Sequence, residues 1–369
     1  MSNNYDFKNI TKHFQFKGEF INAEPYGLGH INDTFLARFK NENDGENKYI
    51  LQRINKNVFK TPEKLMENIK NVTLHIKGKI TDNGGDINRE TLNLISTDEG
   101  QCFYKSAEGD YWRAYIFIEG AQTYQVVENL NHFYNAGKAL GKFEQNLSDF
   151  PADKLYETIP DFHNTYKRFL AFKEAVEKDS LNRAKEVEAE INFVFNRAKD
   201  TAILVDLLNE GKLPLRVAHN DTKFNNIMID DITGEGICVI DLDTIMPGLS
   251  LYDFGDSIRS GANPAEEDEI DLSKVCMDLD LFESFTHGFI EGTNNSLTEL
   301  ELKYLPFSAK LMTFECGMRF LTDYLNGDVY FKIHRPNHNL DRARTQFKMV
   351  ADMEAKLEEM KAIVEKYSR

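Results

Sequence analysis

Asp221, Lys223, Asn226 and Asp241 are the residues of this 369-residue chain whose types and spacing could do chemistry. They stand in R-V-A-H-N-D-T-K-F-N-N-I-M-I, followed by the turn D-D-I-T-G-E-G and the run I-C-V-I-D-L-D-T. The chemistry they suit is phosphoryl transfer. A transferring phosphoryl group needs charge neutralisation, in-line positioning and a group that accepts the nucleophile's proton. Asp221 can take the proton of an attacking hydroxyl. Lys223, two residues on, can reach the γ-phosphate. Asn226 and Asp241 offer the hard oxygen ligands that Mg2+ prefers beside substrate phosphates. Asp243 is either a further metal ligand or a polar strand end, and the two readings stand level.

The elements that must position these groups can be read around them. Apolar runs at Asn226–Ile229 and Ile237–Ile240 flank the Gly-bearing turn Asp230–Gly236, which is a hairpin signal. A hairpin brings its outer ends together, so the flanking Asp, Lys and Asn groups should converge. A second Asp, in Asp253-Phe254-Gly255, competes for the metal. Asp241 directly follows a β-branched run, whereas Asp253 opens an apolar helical pattern. The metal is therefore assigned to Asp241, and Asp253 is expected to anchor the loop through hydrogen bonds.

Upstream, Phe14–Phe16 and Phe20–Asn22 alternate like strands. Gly27 and Gly29, one residue apart between extended segments, suit a hairpin whose backbone N–H groups lie over phosphates. His30 and Asn32 sit at its tip, in reach of nucleotide or substrate. K-Y-I-L-Q-R-I (48–54) reads as a strand, and T-P-E opens a helix over 61–78. Strands are expected at 91–96, 101–105 and 111–118. The last ends in Glu-Gly, which suits a hinge where the backbone of Phe117, Ile118 and Glu119 meets an adenine edge.

From Val126 the apolar period becomes helical, and Gly137 and Gly141 fall on the apolar face where they permit close packing. Further helices are expected at 163–177, 181–199, 201–210, 279–291, 298–325 and 340–367, with another starting in 251–261. Glu315 and Arg319, at i and i+4, form either a helical ion pair or a hydrogen-bonding wall for a polyhydroxylated substrate. The loop carrying Tyr330, with 334–338, is expected to close a cleft.

Composition bounds the rest. A formal charge of −16 argues against a nucleic-acid or anionic-membrane binder. Four scattered cysteines without a C-x-x-C pair fit reduced thiols and a cytoplasmic setting. No apolar leader opens the sequence, and no run reaches the length of a membrane span.

The spacing His-x-Asp-x-Lys-x-x-Asn, then Ile-Asp, then Tyr252-Asp253, resembles the aminoglycoside phosphotransferase and choline kinase branch of the protein-kinase-like superfamily. Gln52 stands where protein kinases carry a phosphate-pairing lysine. P-Y-G-L-G-H-I-N, Y-I-L-Q-R-I-N, P-L-R-V-A-H-N-D-T-K, I-D-L-D-T-I-M-P-G, D-F-G-D-S-I-R, E-C-G-M-R-F-L and G-D-V-Y-F, in this order, are similar to the N-acetylhexosamine 1-kinases from about residue 10 to 355.

The resemblance implies an α+β, two-lobed protein-kinase-like fold. A small N-terminal antiparallel-sheet lobe (1–119) would bind nucleotide, and a larger, mostly helical C-terminal lobe (120–369) would hold the catalytic hairpin. It implies ATP and Mg2+ as companions and N-acetylglucosamine or N-acetylgalactosamine as acceptor. Arg259, Arg319 and Tyr330 become candidate sugar contacts. A monomer or weak dimer is expected. The rival acceptors within the same fold are homoserine, choline and aminoglycosides.

Overall fold

The computed structural model describes residues 5–27 and 31–368. A short helix α1 (Phe7–Thr11) precedes strands β1 (Glu19–Pro25), β2 (Asp33–Lys40) and β3 (Glu46–Ile54). Helix α2 (Pro62–Asp82) follows, then β4 (Tyr104–Lys105) and β5 (Tyr111–Ile116). The five strands form one antiparallel sheet in the order β1-β2-β3-β5-β4. Alternation along each strand explains its two faces. Phe35, Ala37, Phe39, Tyr49, Leu51, Trp112 and Ala114 close one core with Ile10 and Phe14. Ile54, Tyr111 and Tyr115 point the other way, into a larger core with Leu65, Met66, Ile69, Val72 and Ile76 of α2. Helix α2 starts at Pro62 as read from T-P-E, although the Thr61 hydroxyl makes no capping bond.

After β6 (Ala121–Gln122) the chain is mostly helical. Helices α3 (Leu130–Asn146), α4 (Thr165–Lys178), α5 (Glu188–Phe195) and α6 (Ile203–Asn209) lead to β7 (Arg216–Ala218). The predicted hairpin is β8 (Ile227–Asp230) with β9 (Gly236–Val239), and β10 (Met246–Gly248) pairs back onto β7. Helices α7 (Ser250–Gly261), α8 (Leu279–Thr293), α9 (Glu299–Asn326), α10 (His338–Ala355) and α11 (Leu357–Tyr367) complete the chain. This is the α+β architecture expected from sequence: a small antiparallel sheet, then a larger helical region.

Helices α3 and α8 touch backbone to backbone. A Cβ at Gly137 would lie 2.4 Å from the Phe285 carbonyl, and one at Gly288 would lie 2.0 Å from the Tyr134 carbonyl. Only glycine fits such an approach, and the pair forms the base on which the hairpin rests. Helix α9 is locked at its start. Thr298 and Glu301 form a reciprocal capping box, and Arg216 of β7 grips both Glu301 oxygens at 2.6 and 2.8 Å.

Five expected elements differ. Phe14–Phe16 forms no strand, only an isolated bridge from Phe14 to Thr97, and the helix expected at 181–199 is confined to α5 after a 3-10 turn at Ala184–Val187. Residues 91–96 run beside β5, with Ile95 N–H donating to Ala114 O and Ile116 N–H to Asn93 O, but form no continuous ladder. The Asn93 side chain turns back onto Ile87 O and Thr91 O, which breaks the extended run. The strand expected at 101–105 shrinks to two residues, and the final helix is split at Lys356. There the segment around Met277 docks: Met277 N–H donates to Asp352, and Lys356 Nζ donates to Met277 O. Among the described residues, no helix is long and apolar enough to cross a membrane.

Candidate active site

The loop between β7 and β8 carries His219, Asp221, Lys223 and Asn226. Asn220 takes a left-handed φ of +65°, which Asn tolerates better than most residues, and its Nδ2 bonds Ala218 O and Thr244 O. Asp253, at the start of α7, accepts the His219 and Asn220 backbone N–H groups, both at 2.7 Å. This is the anchoring read for Asp253 from sequence. Glu144 lies nearby, and burial, then the Asp253 charge, push it well above the usual carboxylate range. Burial pushes Asp253 up as well, to about 6, and the His219 and Asn220 N–H groups act against that shift. His219 is fixed in one tautomer: Nε2–H donates to Ile240 O, and Nδ1 accepts the Asp221 N–H.

Lys223 Nζ lies 2.9 Å and 3.2 Å from the two Asp221 oxygens, so the carboxylate is held rather than free to rotate. That Asp221 charge raises the Lys223 pKa. Asn226 Nδ2 donates to the Asp221 carbonyl at 2.8 Å. This bond fixes the amide's orientation and turns its oxygen away from that carbonyl. Asp241 follows β9 and is solvent-accessible. Desolvation, then Asp243 and Asp221, push it up to about 6. Carboxylates so crowded call for a cation. Among the described residues, no group of three or more His, Cys, Asp or Glu side chains could hold a metal. An Asn oxygen and one carboxylate nevertheless fit Mg2+, which usually takes one or two carboxylates plus substrate phosphates.

The sequence signature of the phosphotransferase enzyme family (APH) matches residues 22–273, a span that contains all of these groups. The chain belongs to that family.

Its fold is shared with solved phosphotransferases of low identity. An aminoglycoside phosphotransferase from Alicyclobacillus acidocaldarius superposes with a TM-score of 0.62 at 10% identity, over 97% of this chain and 96% of that one. A microcompartment-associated aminopropanol kinase gives 0.58 at 14% identity, over 96% and 97%. An amicoumacin kinase, solved with AMP-PNP, Ca2+ and Ami, gives 0.57 at 14% identity, over 96% and 94%.

In this phosphotransferase several expected site residues have other partners. Both oxygens of Asp243 are taken, one by the Arg113 guanidinium and one by Asn32 Nδ2. Asp243 is therefore the counter-ion of a buried cation. Asn32, expected to contact nucleotide or substrate, is spent on Asp243 and on the Asn55 N–H, tying the N-terminal sheet to the segment after β9. Gln52 is likewise occupied: it donates to Thr34 Oγ1 and accepts from Arg113 Nε, both at 2.9 Å. The cation at the lysine position's neighbour is Arg113 of β5, 1% exposed, which sequence reasoning missed. The available signal was a lone cation inside Y-W-R-A-Y-I.

Gly27 has a φ of +77°, and among the described residues nothing lies within 4 Å of where its Cβ would stand, while Gly29 and His30 lie outside the described residues. The segment expected to form a hinge is stapled by Arg89, which donates to Glu119 O and Gly120 O and pairs with Asp230 at 2.7 Å. Phe117 N–H is taken by Lys48 O, so it cannot meet an adenine edge. Among the described residues, the Ile118 and Glu119 N–H groups make no hydrogen bond.

Arg259 is brought close to the catalytic loop. Its Nε pairs with Asp256 at 2.8 Å and its Nη1 with Glu267 at 3.2 Å. Arg319 does not pair with Glu315, contrary to the ion-pair reading. It stacks among the rings of Phe162, Phe331 and Tyr330 at 5.5–5.9 Å. Glu315 turns inward to His163 Nδ1 at 2.8 Å and Thr165 Oγ1, and His163 Nε2–H donates to Asn220 O at 3.0 Å. Burial would lower the His163 pKa, but the Glu315 carboxylate outweighs it and the net shift is upward. Tyr330 is 69% exposed on a loop whose Val329, Tyr330 and Phe331 N–H groups all bond Asp323.

Proposed function

We propose that the chain transfers the γ-phosphate of ATP to the anomeric hydroxyl of an N-acetylhexosamine, with Mg2+ as companion. Residues 1–119 form the nucleotide lobe and 120–369 the catalytic lobe in this reading. The observation that carries the transfer chemistry is the Asp221 carboxylate held by Lys223 beside the Asn226 amide. Asp221 orients the acceptor hydroxyl and takes its proton, and Lys223 faces the transferring phosphate. Asn226 Oδ1 and Asp241 would hold Mg2+, which when bound supplies charge neutralisation at the phosphate oxygens. Gly27 and the hinge backbone at Ile118 and Glu119 receive the nucleotide. Arg113 and Asp243 support the phosphate side as a fixed ion pair.

The sugar acceptor rests on the motif resemblance along the chain, with Arg259, Arg319 and Tyr330 as contacts. The basic and aromatic character of these three residues favours a neutral over a cationic acceptor, although Asp256 Oδ2 is buried without a hydrogen-bond partner among the described residues. The test is ADP release with ATP and Mg2+ across N-acetylglucosamine, N-acetylgalactosamine, glucose, choline, homoserine and kanamycin. Turnover on the N-acetylated sugars, at least tenfold above every amine, is the expected result. Turnover only on an amine overturns the acceptor and leaves the catalytic residues in place.

A further inference from the structure

His163 and Glu315 have no part in the transfer chemistry above, yet they are buried together against the catalytic loop. The His163 side chain, two residues before α4, is 5% exposed, and that of Glu315, on α9, is 1% exposed. His163 Nδ1 meets one Glu315 oxygen at 2.8 Å, and the other oxygen accepts the Thr165 hydroxyl. The imidazole packs against the Phe162 ring at 4.6 Å and the Tyr252 ring at 5.3 Å. Its remaining nitrogen, Nε2, donates to the Asn220 carbonyl at 3.0 Å. That carbonyl belongs to the peptide bond joining Asn220 to Asp221.

This one peptide is held on both edges. Its oxygen takes the His163 donor, and its N–H, that of Asp221, points to His219 Nδ1 at 3.3 Å. Among the described residues, no other hydrogen bond reaches either atom. Asn220 itself keeps a left-handed φ of +65°, and such a conformation persists where the surroundings over-determine it. Loosening this peptide loosens the backbone that carries the Asp221 carboxylate. Stability alone does not call for such a pair, because apolar side chains of like volume fill a core as well as a buried ion pair does. What the pair supplies is a directed donor. Burial acts to lower the His163 pKa and the Glu315 carboxylate reverses it, so the donor is charged and its bond is roughly twice as strong as a neutral one.

We propose that His163, held by its ion pair with Glu315, is a positioning residue for phosphoryl transfer: it fixes the Asn220–Asp221 peptide and so aims the Asp221 carboxylate at the acceptor hydroxyl. The proposal rests on Asp221 as the base and is independent of which acceptor is used.

The experiment compares two amides of different reach. Glutamine at 163 places its N–H near the position of Nε2 and can still serve Asn220 O. Asparagine reaches only the position of Nδ1, so it faces Glu315 and leaves the carbonyl without a donor. ADP release is measured with the acceptor that wild type turns over best. His163→Asn should lower kcat about 10- to 100-fold, as a slightly misplaced catalytic group does, with the KM for ATP within about threefold. His163→Gln should recover kcat to within about fivefold of wild type. Crystal structures of the two variants give a reading apart from turnover: the Asn220 carbonyl should leave its place in His163→Asn and keep it in His163→Gln. An unmoved carbonyl in His163→Asn, or equal kcat in the two variants, overturns the proposal. If His163→Asn does not fold, Glu315→Gln takes its place. It keeps the shape of the pair and removes the charge on which the donor depends, so kcat should fall about tenfold, and an unchanged kcat is a refutation. Wild type that turns over no acceptor overturns the assignment of Asp221, and this proposal with it.

Discussion

Asp221→Asn is expected to lower kcat by about 10²–10⁴-fold while the KM for ATP changes little. An anomeric hydroxyl is a poor nucleophile at neutral pH, and a positioned carboxylate is the group that accepts its proton as the bond to phosphorus forms. Lys223 contacts both Asp221 oxygens, so the carboxylate is already oriented. Asparagine keeps the side chain's shape and leaves the backbone carbonyl that Asn226 uses. The variant keeps that backbone bond and removes the base together with its ion pair to Lys223. Steady-state kinetics on the preferred sugar, with nucleotide binding measured separately, checks this. A kcat within about threefold of wild type contradicts the assignment.

Asp241→Asn should be as damaging, but with a different signature. It removes the carboxylate that would hold Mg2+ between enzyme and phosphates. Metal stabilisation of a transferring phosphoryl group is worth several kcal/mol, so about 4 kcal/mol, or roughly 10³ in kcat, is expected. The Mg2+ concentration for half-maximal rate should rise in parallel. Asp243→Asn offers the contrast. It leaves the buried Arg113 guanidinium without its counter-ion, and breaking a buried pair costs roughly 3–5 kcal/mol. That loss should appear as a lower melting temperature, with the Mg2+ dependence of surviving activity little changed. Interchanged signatures, with Asp243→Asn altering Mg2+ dependence and Asp241→Asn only stability, would move the metal to Asp243.

The parts of the site that lie close in sequence were legible, and the parts that depend on distant partners were not. The hairpin announced itself because two apolar runs flank a glycine-bearing turn, and Asp253 could be given an anchoring role because it opens a helix. Close packing at Gly137 and Gly141 followed from glycine on an apolar face. Arg113 was missed because its partner, Asp243, lies 130 positions away, and no local spacing encodes that pairing. Asn32 was read as a contact to nucleotide or substrate, and Asp243 was left between a metal ligand and a polar strand end, for the same reason: the two meet only across the fold. Glu315 and Arg319 share the spacing of a helical ion pair. However, the buried His163 draws the carboxylate inward, and three aromatic rings hold the guanidinium outward.

The measurement that tests the central claim most directly is phosphorus NMR of the product formed from ATP, Mg2+ and N-acetylglucosamine. The account predicts a new monophosphate signal coupled to the anomeric proton of the sugar, growing in step with ADP. A phosphate coupled instead to the protons at C6, or inorganic phosphate alone, would contradict transfer to the anomeric hydroxyl.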